Sequence, residues 1–230
     1  MEKQMKFRHE LKYVVSAAQV ELIKNRVEHL LPRDAHAGEK GMYAIRSLYF
    51  DDYENRCYRE NADGTDPREK FRIRIYNHSA EKIRLECKRK ERGMTHKESC
   101  PLTEMQTRML MDGRALPDIA SQLPVLRKLT MQMLTRRMRP VVIVEYERVP
   151  YVYELGNVRI TLDLNVSSGK DVGAFLEESI SKRPVMPAGR QLLEVKYDEY
   201  LPDFIYNNLQ LENLQQTAFS KYYLCRKYTR

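Results

Sequence analysis

The chain has 230 residues, with 40 Lys and Arg against 32 Asp and Glu, a formal net charge of +8, and 31% charged residues. A hydrophobic fraction of 42% with 15 Tyr and 6 Phe is that of a folded domain, which excludes disorder over most of the length. No stretch approaches the roughly 18 uninterrupted apolar residues of a membrane span, and the start, MEKQMKFRHELKY, is charged where a signal peptide needs its apolar run, so neither membrane insertion nor export is expected.

In chain order, alternation predicts a strand over 8–15. Ser16 and Gln19 have capping-box spacing, and Val20, Ile23, Val27 and Leu30 recur at helical intervals, which predicts a helix over 16–31 ended by Pro32. Strands follow over 43–50, 70–77 and 82–90, with loops at 33–41 and 61–69 and a hairpin turn at Arg92-Gly93. Thr103 and Gln106 repeat the capping box and open a helix that stops near Gly113. A third helix is predicted over 123–138, then strands over 141–148 and 157–165 about a Gly156-Asn157 turn. A loop at 182–190, a strand over 191–197 and helices over 203–214 and 219–229 complete the chain. No linker is long or simple enough to divide it, so one domain over 1–230 is expected. Cys57, Cys87, Cys100 and Cys225 form no CxxC pair and have no His at ligand spacing, which excludes a zinc site or disulfide framework and reads as free thiols of a reducing cytoplasm.

The strands share one peculiarity. Phe71, Ile73 and Ile75 leave Arg72 and Arg74 together on the opposite face, because successive side chains alternate. Ile83, Leu85 and Cys87 likewise oppose Arg84, Glu86, Lys88 and Lys90; Glu10 pairs in phase with Lys12; Arg159, Thr161 and Asp163 oppose Val158, Ile160 and Leu162; Glu194 and Lys196 oppose Leu193 and Val195; Arg148 is in phase with Tyr146. Exposed faces of antiparallel sheets ordinarily mix Thr, Ser, Gln, Lys and Glu. Here ten cations (Lys12, Arg72, Arg74, Arg84, Lys88, Lys97, Arg148, Arg159, Lys196, Lys221) stand against four carboxylates (Glu10, Glu86, Asp163, Glu194). If the strands close into a barrel with that face inward and helices outside, the lumen is a cationic tunnel suited to a linear polyanion. Carboxylates among such cations are hard oxygen ligands for Mg²⁺ or Mn²⁺ bridging to phosphate.

These residues also resemble a known family. Arg8-x-Glu10-x-Lys12-Tyr13, Arg46-Ser-Leu-Tyr-Phe-Asp51, Arg72-x-Arg74-x-Tyr76, Leu85-Glu86-x-Lys88, Tyr146-x-Arg148, Arg159-Ile-Thr-x-Asp163, Leu193-Glu194-Val-Lys196-Tyr197 and Ser220-Lys221-Tyr222 resemble, in that order and across the whole chain, the VTC (vacuolar transporter chaperone) catalytic domain. That family belongs to the triphosphate tunnel metalloenzymes (CYTH-like). The resemblance implies an α+β fold, an antiparallel eight-stranded β-barrel tunnel with a charged lumen covered by helices, and a polyphosphate polymerase using ATP and Mn²⁺ or Mg²⁺. It implies that Lys12, Arg72, Arg74, Lys88, Arg148, Arg159 and Lys196 form the catalytic phosphate grip. Arg46, Arg84 and Lys97 add phosphate contacts, and Lys221 caps one mouth. Glu194, with Glu10 and Glu86, holds the metal. One departure is visible: where the wider superfamily shows Glu-x-Glu-x-Lys, position 8 is Arg8, so one metal carboxylate is missing and polymerase-like chemistry is favoured over two-metal hydrolysis.

The reaction expected is γ-phosphoryl transfer from ATP to a growing polyphosphate by positioning and charge neutralisation, with no protein nucleophile. The five histidines, His9, His29, His36, His78 and His96, then need no catalytic role. Triphosphate hydrolysis on the same fold is the alternative, and a module that binds polyphosphate or inositol pyrophosphate without turnover is a third reading. A nucleic-acid partner is not expected, because no exposed stacking pattern or recognition motif occurs. The segment LRKLTMQMLTRRMR (126–139) carries five cations and no acid; it reads as a covering helix, or as a docking surface for an anionic membrane or acidic partner. The resemblance also implies a separate membrane-protein partner.

Overall fold

The computed structural model describes residues 7–229; the charged start up to Lys6 lies outside the described residues. In chain order the elements are β1 (His9–Ser16), α1 (Ala17–Glu28), β2 (Tyr43–Asp51), α2 (Arg56–Ala62), β3 (Arg68–Tyr76), β4 (Ser79–Glu91), β5 (Met94–Leu102), α3 (Glu104–Met111), α4 (Pro124–Arg136), β6 (Arg139–Tyr153), β7 (Val158–Gly169), β8 (Arg183–Pro184), β9 (Arg190–Tyr197), α5 (Asp203–Leu209) and α6 (Lys221–Thr229). Strand order is β1-β9-β7-β6-β2-β3-β4-β5, with the two-residue β8 beside β7. This is the α+β class expected, with eight principal strands.

Two compact units divide the chain: Met1–Ala44, Tyr146–Val166 and Met186–Phe219 form the first, and Ile45–Glu145, Ser167–Val185 and Ser220–Arg230 the second. In the first unit β9 pairs antiparallel with both β1 and β7. The odd-numbered residues of these strands, Tyr13, Val15, Leu193 and Val195, join Ile160 and Leu162 of β7 in a core closed by Val20, Ile23 and Val27 of α1 and Ile205 and Leu209 of α5. Helix α1 begins where expected: the Ser16 side chain accepts from the Gln19 backbone N–H at 3.2 Å while Gln19 returns the bond to Ser16 N–H at 2.8 Å. It ends at Glu28, four residues before Pro32, so the proline is not what stops it.

In the second unit β2, β3, β4 and β5 form an antiparallel ladder. Leu48, Ile73, Ile75, Leu85 and Cys87 are buried on one face, and α4 packs on β4 and β5 with Val125, Leu126, Leu129 and Met133 buried. Two elements escape the sequence pattern. Strand β5 contains Pro101 and few apolar residues; it stands at the end of the strand path, where a missing N–H is tolerated. Helix α2 has no side-chain cap at Asn55. The carboxylates of Asp51 and Asp52 at the end of β2 accept instead from the N–H groups of Cys57 (2.8 Å), Tyr58 (3.1 Å) and Arg56 (2.9 Å).

Candidate functional site

In the first unit, strand register gathers the charged residues on the face away from the core. Glu10 lies opposite Lys196 and Lys12 opposite Glu194 on β1 and β9, and Lys196 lies opposite Arg159 and Glu194 opposite Thr161 on β9 and β7. Glu194 is the centre of this face: 4% exposed, with Lys196 at 3.2 Å, Arg148 at 3.7 Å and Lys12 at 4.0 Å, while Lys12 also reaches Glu10 at 3.2 Å. Arg148 is held by a bidentate pair to Asp163, Nε to Oδ1 at 2.7 Å and a terminal nitrogen to Oδ2 at 2.8 Å. Burial works against the Arg148 charge, but Asp163, with Glu194 beyond it, outweighs that cost and raises its pKa well above the ordinary value. Among the described residues no group of three His, Cys, Asp or Glu is placed to hold a metal. Glu10 and Glu194, both joined to Lys12, are a hard-oxygen pair of the kind that holds Mg²⁺ or Mn²⁺ when phosphate and water supply the remaining ligands. They fit a metal that arrives with its phosphate.

The second unit carries a matching stripe. Ser47 opposes Arg74 and Tyr49 opposes Arg72 across β2 and β3; Arg74 opposes Arg84, Arg72 opposes Glu86 and Lys70 opposes Lys88 across β3 and β4; Lys88 opposes Lys97 across β4 and β5. Like charges directly opposite repel, so the row Lys70-Lys88-Lys97 concentrates positive charge on this stripe, with Lys70 steadied by Asn61 at 3.1 Å and Ser220 at 3.2 Å. Its one carboxylate, Glu86, is 1% exposed and takes Arg72 at 2.6 and 2.7 Å, Lys97 at 3.1 Å and Arg74 at 3.8 Å. Burial alone would raise the Glu86 pKa; Arg74, Arg72 and Lys97 together hold it well below the usual carboxylate range. Arg72 is steadied further by the Tyr49 hydroxyl at 2.8 Å, and Arg84 by Ser99 at 3.0 Å.

Residues 7–229 match the VTC domain. The chain belongs to the VTC domain family. Solved structures agree at the level of the fold. The adenylyl cyclase-related HpAC1 of Hippeastrum, whose structure is described as revealing a dominant triphosphatase activity, is similar over 98% of this chain and 97% of its own, with a TM-score of 0.59 at 12% identity. A protein of Pyrococcus horikoshii OT3 is similar over 96% and 99% (TM-score 0.51, 16% identity), and a candidate adenylate cyclase of Vibrio parahaemolyticus over 96% and 98% (TM-score 0.51, 12% identity). Among curated proteins none matches the chain. At these identities the likeness to the solved structures is one of fold, and it agrees with the tunnel fold that the motifs led one to expect.

The VTC motifs thus fall on two faces, Lys12, Arg148, Arg159, Lys196, Glu10 and Glu194 on one unit, Arg72, Arg74, Arg84, Lys88, Lys97 and Glu86 on the other. One expectation needs correction. Arg46 pairs with Ile75, not with Arg72 or Arg74, and so lies on the apolar side of β2. There it is 1% exposed and binds Glu145 at 2.5 Å and the carbonyls of Phe175 (3.1 Å), Glu177 and Glu178 (3.2 Å). Every one of its nitrogens is engaged, Nε by Glu145 and the two terminal ones by the 175–178 segment, so it anchors that segment and has no donor left for the phosphate contact expected. Glu86 is the hub of three cations, Arg72 and Arg74 at Oε2 and Lys97 at Oε1, a setting like that of Glu194. Lys221 starts α6, where the neighbouring Tyr222 donates to Asp51. Arg159, half exposed, has Asp34 at 3.9 Å. Sequence reasoning placed Asp163 among the carboxylates of the charged face but missed its pairing with Arg148; Tyr-x-Arg on one strand of a hairpin and a carboxylate in phase on the other was the available signal. It missed Tyr49 and Ser47 because they sit in a run of β2 that is buried on both faces.

Proposed function

We propose that residues 1–230 act as one catalytic domain that transfers the γ-phosphate of ATP to a growing polyphosphate chain, a metal-dependent phosphotransferase reaction. The observation that supports this reading is the charged face of each unit, on which Arg and Lys outnumber carboxylates and one buried carboxylate, Glu194 or Glu86, is surrounded by cations. Phosphoryl transfer of this kind needs positioning and charge neutralisation and no protein nucleophile. Lys12, Arg148, Arg159 and Lys196, and Arg72, Arg74, Arg84, Lys88 and Lys97, bind phosphate oxygens. Lys221 adds a cation from the C-terminal helix. Glu194 and Glu10 would hold Mn²⁺ or Mg²⁺, which would supply neutralisation of phosphate charge. Arg8 stands where a further carboxylate would favour a two-metal hydrolase, and it is 3.2 Å from Asp198 instead of contributing to the metal site.

Triphosphate hydrolysis is the second reading, favoured by the activity ascribed to HpAC1, whose fold this chain shares. The two differ in acceptor. Incubating the protein with ATP and Mn²⁺, with and without pyrophosphate, and separating products on a gel decides between them: polymer supports the polymerase, free phosphate alone the triphosphatase, and intact ATP with retained polyphosphate binding a module without turnover. Glu194→Gln should abolish turnover and leave triphosphate binding largely intact; full activity in that variant, or activity indifferent to EDTA, removes the metal assignment. We place the domain in the cytoplasm beside a separate membrane-protein partner, which fits four buried, unpaired cysteines and, among the described residues, no helix long and apolar enough to cross a membrane.

A further inference from the structure

The face that α4 turns to solvent has a composition the phosphate chemistry does not use. Val125, Leu126, Leu129, Thr130 and Met133 are buried against the second unit's strands, which leaves Leu123, Arg127, Met131 and Leu134 on the outer face at helical spacing. Leu123 is 49%, Met131 45% and Leu134 58% exposed. Arg127 is exposed beside them and bonds the carbonyls of Ala120 and Gln122 at 2.9 and 3.1 Å, and Arg136, Arg137 and Arg139 are exposed at the helix's C-terminal end. From Leu123 to Val144 the chain holds no Asp or Glu, and Lys128 on the packed side is already engaged by Glu69 at 2.5 Å. Exposed apolar side chains at three helical positions, rimmed by unopposed arginines, are a surface that lowers its free energy by meeting something both apolar and anionic.

We propose that this outer face of α4 rests on an anionic lipid surface, with Met131 and Leu134 entering the headgroup boundary and the arginines on the lipid phosphates. Charge complementarity selects an anionic occupant. The side chains select a fluid one: Leu, Met and Arg are long and flexible, Arg stems lie along apolar surface while their heads reach outward, and Thr135, the sole neutral hydroxyl on this exposed segment, is turned back onto the Met131 carbonyl at 2.7 Å. Beyond the arginines, the half-exposed Gln132 is the remaining polar head on this stretch with directional bonds to offer, which gives a folded protein partner little to fix its register. Because α4 lies on the side of β4 and β5 opposite Arg84, Glu86 and Lys88, lipid contact leaves the phosphate-binding face of this unit open.

The test is co-sedimentation of the full chain with phosphatidylcholine vesicles, with and without phosphatidylserine, in the presence of tripolyphosphate to occupy the phosphate-binding faces. Binding to the anionic vesicles alone is expected. Arg136→Gln with Arg139→Gln should weaken it by about 25-fold, the product of a fivefold loss for each basic side chain worth roughly 1 kcal/mol at an anionic surface. Met131→Ser with Leu134→Ser should weaken it on the order of tenfold through lost apolar burial. Arg108→Gln with Arg114→Gln changes net charge equally on another exposed stretch and should bind as the parent does. All of these side chains are exposed, so melting temperatures should match the parent and report that the variants fold. Equal binding to both vesicle types, or an equal loss in the Arg108 and Arg114 control, overturns the proposal. So does undiminished binding by the Met131 and Leu134 variant, which would show that charge alone holds the vesicle and that the apolar side chains do not enter it.

Discussion

Glu86→Gln is the most revealing single change in the second unit, because it keeps the shape of the side chain and removes the charge that three cations share. The carboxylate is 1% exposed, with Arg72 at 2.6 Å and Arg74 at 3.8 Å, both largely buried, and Lys97 at 3.1 Å, which is half exposed and counts for less. Removing one partner of a buried ion pair costs about 3–5 kcal/mol, chiefly as the penalty of the charge left behind. At about 2–4 °C per kcal/mol for a chain of this size, the melting temperature should fall by roughly 6–20 °C. The pH dependence supplies a second, independent sign. Because the folded pKa lies well below the ordinary one, Glu86 contributes its full stabilisation above the unfolded value of about 4.3, and that contribution is lost as pH falls through the folded value. Between the two values the unfolded chain binds one more proton, a slope of about 1.4 kcal/mol per pH unit that Glu86→Gln should remove from the acid limb of the stability curve. Thermal melts from about pH 7 down to pH 3 read both effects. A variant melting within about 2 °C of the parent, with the acid slope unchanged, would refute the hub.

Tripolyphosphate at about 100 times its dissociation constant should add roughly 2.7 kcal/mol and raise the melting temperature by about 5–11 °C, whereas sulfate and single-stranded DNA at matched charge should not; equal shifts for all three would reduce the charged faces to ordinary solvated sheet. Asp163→Asn strips Arg148 of its bidentate partner and should cost about 3–5 kcal/mol in urea unfolding; a loss below about 1 kcal/mol would show that Glu194 alone can hold the guanidinium. Arg46→Met leaves Glu145 to Lys182 but strips the carbonyls of Phe175, Glu177 and Glu178 of their donor, and should destabilise by about 1–3 kcal/mol, while the folded fraction titrates with tripolyphosphate as the parent does; a weakened affinity would return Arg46 to the phosphate-binding set.

Much of the local architecture was legible in the chain because it depends on neighbours a few residues apart. Both capping boxes, at Ser16 and Thr103, and the Arg92-Gly93 turn, with φ of 50° and 79°, lie where spacing predicted them. The charged stripes were legible for the same reason: alternation along one strand assigns Arg72, Arg74, Arg84, Glu86, Glu194 and Lys196 to a face without knowledge of the partner strand. The limits of this reading have one physical origin. Alternation says that Arg46 and Arg74 differ in phase within their own strands, but only register decides that Ser47 meets Arg74 while Arg46 meets Ile75, and so turns one arginine toward the phosphate-binding face and the other into the core. The second helix and the fifth strand were invisible for a related reason. The first is capped by Asp51 and Asp52 from the end of another element, and the second is held by pairing with β4, not by its own polar residues. Sequence by itself determined which side chains carry charge and which face of its strand each occupies, because those follow from covalent geometry and a period of two. Tertiary structure alone decided which cations are neutralised at Glu86, Asp163 and Glu145 and which remain to meet an anion, because an ion pair is set by distances between strands that the chain order does not encode.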